Sequence, residues 1–75
     1  MTDAALGATL RLEVNGRARE TPPGISVAGL VAELAGESRF VAVERNGEIV
    51  PRSRWSATEL ADGDRVEIVR FVQGG

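Results

Sequence analysis

Two Asn-Gly dipeptides, at 15–16 and 46–47, constrain this 75-residue chain more than any other feature. Both residue types accept positive φ, so Asn-Gly between alternating segments is the leading short-range signal for a two-residue hairpin. Before the first dipeptide, Thr9 to Val14 alternates, with Leu10, Leu12 and Val14 on one face and Arg11 and Glu13 on the other. That period of two predicts a half-buried strand. After it, Arg17 to Thr21 is short, charged and closed by Pro22-Pro23-Gly24, which suits an edge strand. The second dipeptide stands between a strand at Phe40–Arg45 and a short return at Glu48–Val50 that Pro51 ends.

Between the two hairpins the period changes. Val27, Leu30, Val31 and Leu34 are spaced i, i+3, i+4, i+7 and share a helix face. Ser26 is positioned to cap the helix, Ile25 and Leu30 to staple it, and Gly36 to stop it. Arg52 to Trp55 reads as a connection. Ser56-Ala57-Thr58-Glu59 matches a capping box and predicts one helical turn near 57–60. Asp62-Gly63-Asp64 is a turn. Arg65 to Val72 forms the last strand, with large apolar residues on both faces, so it belongs in the centre of a sheet.

The order strand, strand, helix, strand, short strand, helical turn, strand predicts an α+β domain of β-grasp type. It has a mixed four- or five-stranded sheet with one helix packed across one face. The expected core is Leu10, Leu12, Val14, Val27, Leu30, Val31, Leu34, Val41, Val43, Leu60, Val66 and Ile68. Residues 1–8 are expected as a flexible extension, 9–72 as the domain, and 73–75 as a flexible tail. A chain this short holds one core.

Composition limits the chemistry. There is no Cys, His, Tyr or Lys, and all nine basic residues are Arg. Disulfides, thiol nucleophiles, Schiff bases, His acid/base work and the usual zinc sites are thereby excluded. A net charge of −2 argues against nucleic acid as a ligand. No apolar run approaches the roughly 20 residues of a membrane span. The N-terminus lacks a basic n-region, so the expected location is cytoplasmic. No metal site, no bound cofactor and no catalytic residue is expected. The acids Glu44, Glu48, Asp62 and Asp64 flank turns and are read as turn chemistry. Trp55 is read as a plug at the edge of the core, with a cation–π contact to Arg52 or Arg54 as the alternative.

Two features remain for function. If Val66 and Ile68 face the helix, then Val69 and Phe71 face away, and Phe40 joins them when Val41 and Val43 point inward. Such a cluster suits partner docking. After the last strand come Gln73-Gly74-Gly75. Glycine has no Cβ, so Gly74 lets a tail thread a channel too narrow for side chains. The α-carboxylate of Gly75 is ionised at neutral pH and needs activation by another protein before a nucleophile can attack it.

The stretches VNG-x-x-R-E (14–20), VAVERNGEIVPRSRW (41–55) and DGDRVEIVRFVQGG (62–75) closely resemble the ThiS family, the ubiquitin-like β-grasp sulfur carriers of thiamine biosynthesis. The resemblance covers residues 9–75. It departs in the first eight residues and at Gln73, where a third glycine often stands. It implies that a ThiF-type enzyme uses ATP to adenylate Gly75. A persulfide donor then yields a thiocarboxylate there, and a ThiG-type thiazole synthase accepts the sulfur. On this reading the chain is a co-substrate, monomeric when free. Three alternatives stay open: a carrier like the molybdopterin synthase small subunit, a carrier for another pathway, and a non-covalent ubiquitin-like interaction module.

Overall fold

The computed structural model describes residues 9–36 and 40–71. Residues 1–8, Val72, Gln73, Gly74 and Gly75 lie outside the described residues, and with them the expected extension and tail. Five strands form one sheet: β1 Leu10–Val14, β2 Arg17–Thr21, β3 Val41–Arg45, β4 Glu48–Ile49 and β5 Arg65–Arg70. One helix, α1 Val27–Ala35, lies between the hairpins in sequence. The strand order is β2-β1-β5-β3-β4. β5 runs parallel to β1 and antiparallel to β3, so the last strand is central and β2 is an edge, as the apolar pattern predicts.

Both hairpins turn on Asn-Gly with positive φ, 52° and 82° at 15–16 and 53° and 86° at 46–47. α1 begins at Ser26, whose Oγ accepts from the Gly29 amide at 3.1 Å. It stops at Gly36, whose φ of 64° favours a residue without Cβ. Val27 and Leu30 are fully buried, and with Val31 they meet Leu12, Val14, Val41, Val43, Leu60 and Val66 in one core. Each such side chain contributes about 1.5–3 kcal/mol on leaving water, which offsets the weak intrinsic stability of a nine-residue helix.

Two expectations fail. Leu34 is 41% exposed rather than buried. It stands in the last turn of α1 over an open groove, lined also by Val14, Asn15, Arg17, Ala18 and Arg19, which the sheet does not fill. The helical turn expected near 57–60 does not form. A 3-10 turn forms instead at Arg52–Arg54. The reason is tertiary. Val27 N donates to Thr58 O, Ala28 N donates to Trp55 O, and Leu60 N donates to Ile25 O. A helix leaves its first amides without internal partners. Residues 55–60 satisfy two of them, and an extended Ser26–Glu59 bridge takes the backbone that a local helix would have used.

Candidate functional site

The sheet has two faces because side chains alternate. Val41, Val43 and Val66 point to α1. The opposite face carries residues of the other parity. There Ala42 pairs with Val69 and Glu44 with Glu67 across β3 and β5, and the Phe71 amide donates to Phe40 O at 2.7 Å. Phe40, Val69 and Phe71 are 43%, 49% and 52% exposed. The structure therefore brings the three expected docking residues together at the C-terminal end of β5, on the face away from the helix. The sequence placed them by parity alone.

Next to this apolar cluster lie Glu44 and Glu67, directly opposed across the strands. Among the described residues neither carboxylate forms an ion pair; the pairs present are Arg11–Glu20, Arg19–Glu33, Arg45–Asp64 and Arg65–Glu13. Like charges directly opposite destabilise a sheet modestly. Ile49, 70% exposed, borders the pair from β4.

Trp55 is buried, and its Nε1 donates to Val50 O at 2.9 Å. Its ring also carries the Arg52 guanidinium 4.7 Å from the centroid, so one face of the plug is capped by a cation. Asp62 takes the Arg11 amide at 2.7 Å and ties the loop before β5 to β1. Among the described residues no group of three His, Cys, Asp or Glu side chains could hold a metal ion. No helix among them is long and apolar enough to cross a membrane.

Reading the turns as local chemistry understated Asp64. Its side chain is buried and accepts from Arg45 Nε at 2.8 Å, Asn46 Nδ2 at 3.0 Å and the Ala61 amide at 2.8 Å. Burial by itself would raise its pKa. The Ala61 amide, the Asn46 amide and the Arg45 guanidinium outweigh that and hold the carboxyl below its ordinary value. The second asparagine duty was missed too. Asn15 Oδ1 accepts from Ile68 N at 2.8 Å, and Asn46 Oδ1 accepts from Arg65 N at 2.9 Å. The sequence signal for both was the turn itself; the target of each side chain lies 53 and 19 residues away.

The architecture is the β-grasp of ubiquitin-like proteins: a mixed five-stranded sheet with one helix across one face and the last strand in the middle. Comparison with known proteins narrows the class. The ThiS family model matches residues 12–75. A thiazole synthase of Paramagnetospirillum magneticum is 46% identical over 66 residues; the match takes in 88% of this chain and only 20% of the synthase. The chain thus spans about a fifth of the length of that curated relative. The sulfur carrier protein ThiS of Bacillus subtilis is 44% identical over 50 residues, 67% of this chain and 76% of its own. The crystal structure of the thiamine biosynthesis protein ThiS from Geobacter metallireducens superposes with a TM-score of 0.75 at 35% identity, covering 88% of this chain and all of that one. The chain belongs to the ThiS family.

Proposed function

We propose that this chain carries sulfur as a thiocarboxylate on Gly75 and donates it for thiazole formation. The observation that supports this most is the junction of three features on one strand. Central β5 bears the exposed Val69, is followed at once by the exposed Phe71 bonded to Phe40, and leads in sequence to Gly74-Gly75. A partner that docks on Phe40, Val69 and Phe71 meets the chain three residues before Gly74, a residue without Cβ that suits a channel too narrow for side chains.

The chemistry starts from an ionised carboxylate, which resists nucleophilic attack. A ThiF-type enzyme supplies ATP; a Gly75 carboxylate oxygen attacks its α-phosphorus, expels pyrophosphate and forms an acyl-adenylate. The terminal sulfur of a persulfide displaces AMP. A thiol reductant then cleaves the S–S bond and leaves the thiocarboxylate. The chain holds no cofactor of its own and acts as a co-substrate in the cytoplasm. A ThiG-type thiazole synthase is the acceptor, a reading supported by the thiazole synthase of which a segment like this chain makes up one fifth.

The test is the intact mass after incubation with the adenylating enzyme, ATP and a sulfur donor. Replacement of one terminal oxygen by sulfur supports the proposal. An unchanged mass, or full activity after deletion of Gly75, overturns it. Capture of the thiazole synthase, rather than another sulfur acceptor, decides the pathway.

A further inference from the structure

In a regular parallel ladder every second residue donates its amide to one residue of the neighbouring strand and accepts at its carbonyl from the residue two further on. β1 follows this rule up to its end: Glu13 N donates to Asp64 O and Asn15 N donates to Val66 O. The next bond of the series would run from Ile68 N to the carbonyl of Asn15. The backbone of Asn15 has turned left-handed, with φ 52°, and enters the hairpin. The Ile68 amide is met instead by the side chain: Asn15 Oδ1 accepts from Ile68 N at 2.8 Å, and Asn15 Nδ2 donates to Ile68 O at 3.3 Å. A carboxamide is chemically a peptide group, with one acceptor and donors in a plane. Asn15 therefore supplies β5 with one more peptide of β1 after β1 has left the sheet.

That position is where the strand needs it. Beyond Ile68, β5 is paired with β3 alone, through Val69–Ala42, Arg70–Val41 and the Phe71–Phe40 bond. Ile68 is the last point held from both sides.

We infer that Asn15 is a positioning residue for the exposed cluster at the end of β5: its carboxamide pins β5 at Ile68 and so holds Val69 and Phe71 in the register the adenylating enzyme reads. The functional part of this inference rests on the carrier reading above; the structural part does not.

The test uses the full chain and two variants. Asn15→Gly keeps a residue that accepts positive φ and removes the carboxamide. Asn15→Asp keeps an acceptor for Ile68 N and removes the donor. In Asn15→Gly, amide exchange at Ile68 and Phe71 is expected to accelerate by about two- to fivefold, the worth of one net hydrogen bond, relative to Leu30 and Val50. The KM for the carrier in ATP-dependent adenylation rises by a similar factor while kcat holds. Asn15→Asp falls between Asn15→Gly and the native chain in both readouts. Unchanged Ile68 exchange overturns the inference, as does equal acceleration at all four amides, or an unaltered KM despite local loosening. If the native chain is not adenylated at all, the carrier reading fails. The exchange at Phe71 then decides the positioning role alone.

Discussion

The Asn-Gly turns at 15–16 and 46–47 share a dipeptide and nearly the same φ angles, yet they hold different things. In both, the asparagine is left-handed and its Oδ1 takes the bond from a β5 amide, Ile68 for Asn15 and Arg65 for Asn46. The remaining donor separates them. Asn46 Nδ2 turns inward to the buried carboxylate of Asp64. Asn15 Nδ2 stays at the exposed end of the sheet on Ile68 O. One local motif thus holds a buried carboxylate at the start of β5 and an exposed strand carbonyl further along it, according to what its surroundings offer the spare N–H.

The largest test of this contrast is removal of the group that only the second turn reaches. Asp64→Ala leaves Arg45, Asn46 and the Ala61 amide without their acceptor. It is expected to cost about 3 kcal/mol, read as a lower urea midpoint at constant m-value. A loss below about 0.5 kcal/mol, within the range of ordinary surface substitutions, would deny Asp64 this role. The same site carries the pH prediction. A carboxyl whose pKa is depressed on folding stabilises above its ordinary value of 3.8 and loses that contribution as pH falls through its folded value. The urea midpoints of the native chain and Asp64→Asn should therefore converge as the pH drops below 3.8, and a constant gap would contradict this.

Next in size are the turns themselves. Asn46→Gly keeps the hairpin and is expected to lose about 1.5 kcal/mol, because a buried carboxylate oxygen loses a donor. Asn15→Gly is expected to lose about 0.5–1 kcal/mol, since its bonds are solvent-exposed. Equal losses in thermal or urea unfolding would erase the distinction between the two turns. The smallest effect lies on the outer face between them. Glu67→Thr relieves the repulsion from Glu44 and adds a β-branched residue, for an expected gain of about 0.5 kcal/mol. A loss of stability there would show that the opposed acids are not a cost to the free domain.

Most of the fold was legible because the periods were clean. Alternation gave β1 and β3 their inward faces, the i, i+3, i+4, i+7 spacing gave α1, and the two-sided apolar pattern put β5 in the centre. Phe40, Val69 and Phe71 followed from parity. Leu34 did not, since helical spacing names a face but not where the sheet beneath it ends. The capping box at Ser56–Glu59 misled for a related reason: the backbone of 58–60 is used by the start of α1, and local capping does not outweigh those bonds.

The hairpins, the helix and the central strand were thus legible in the sequence, because each rests on a local residue pattern. Only the tertiary structure decided that Asp64 is buried under three donors and that two turn asparagines reach β5. It also decided that a 3-10 turn forms at 52–54 while the helical turn expected near 57–60 does not. Those outcomes depend on which groups, distant in sequence, arrive with unsatisfied donors and acceptors. A buried polar group must find its partner wherever the fold puts one.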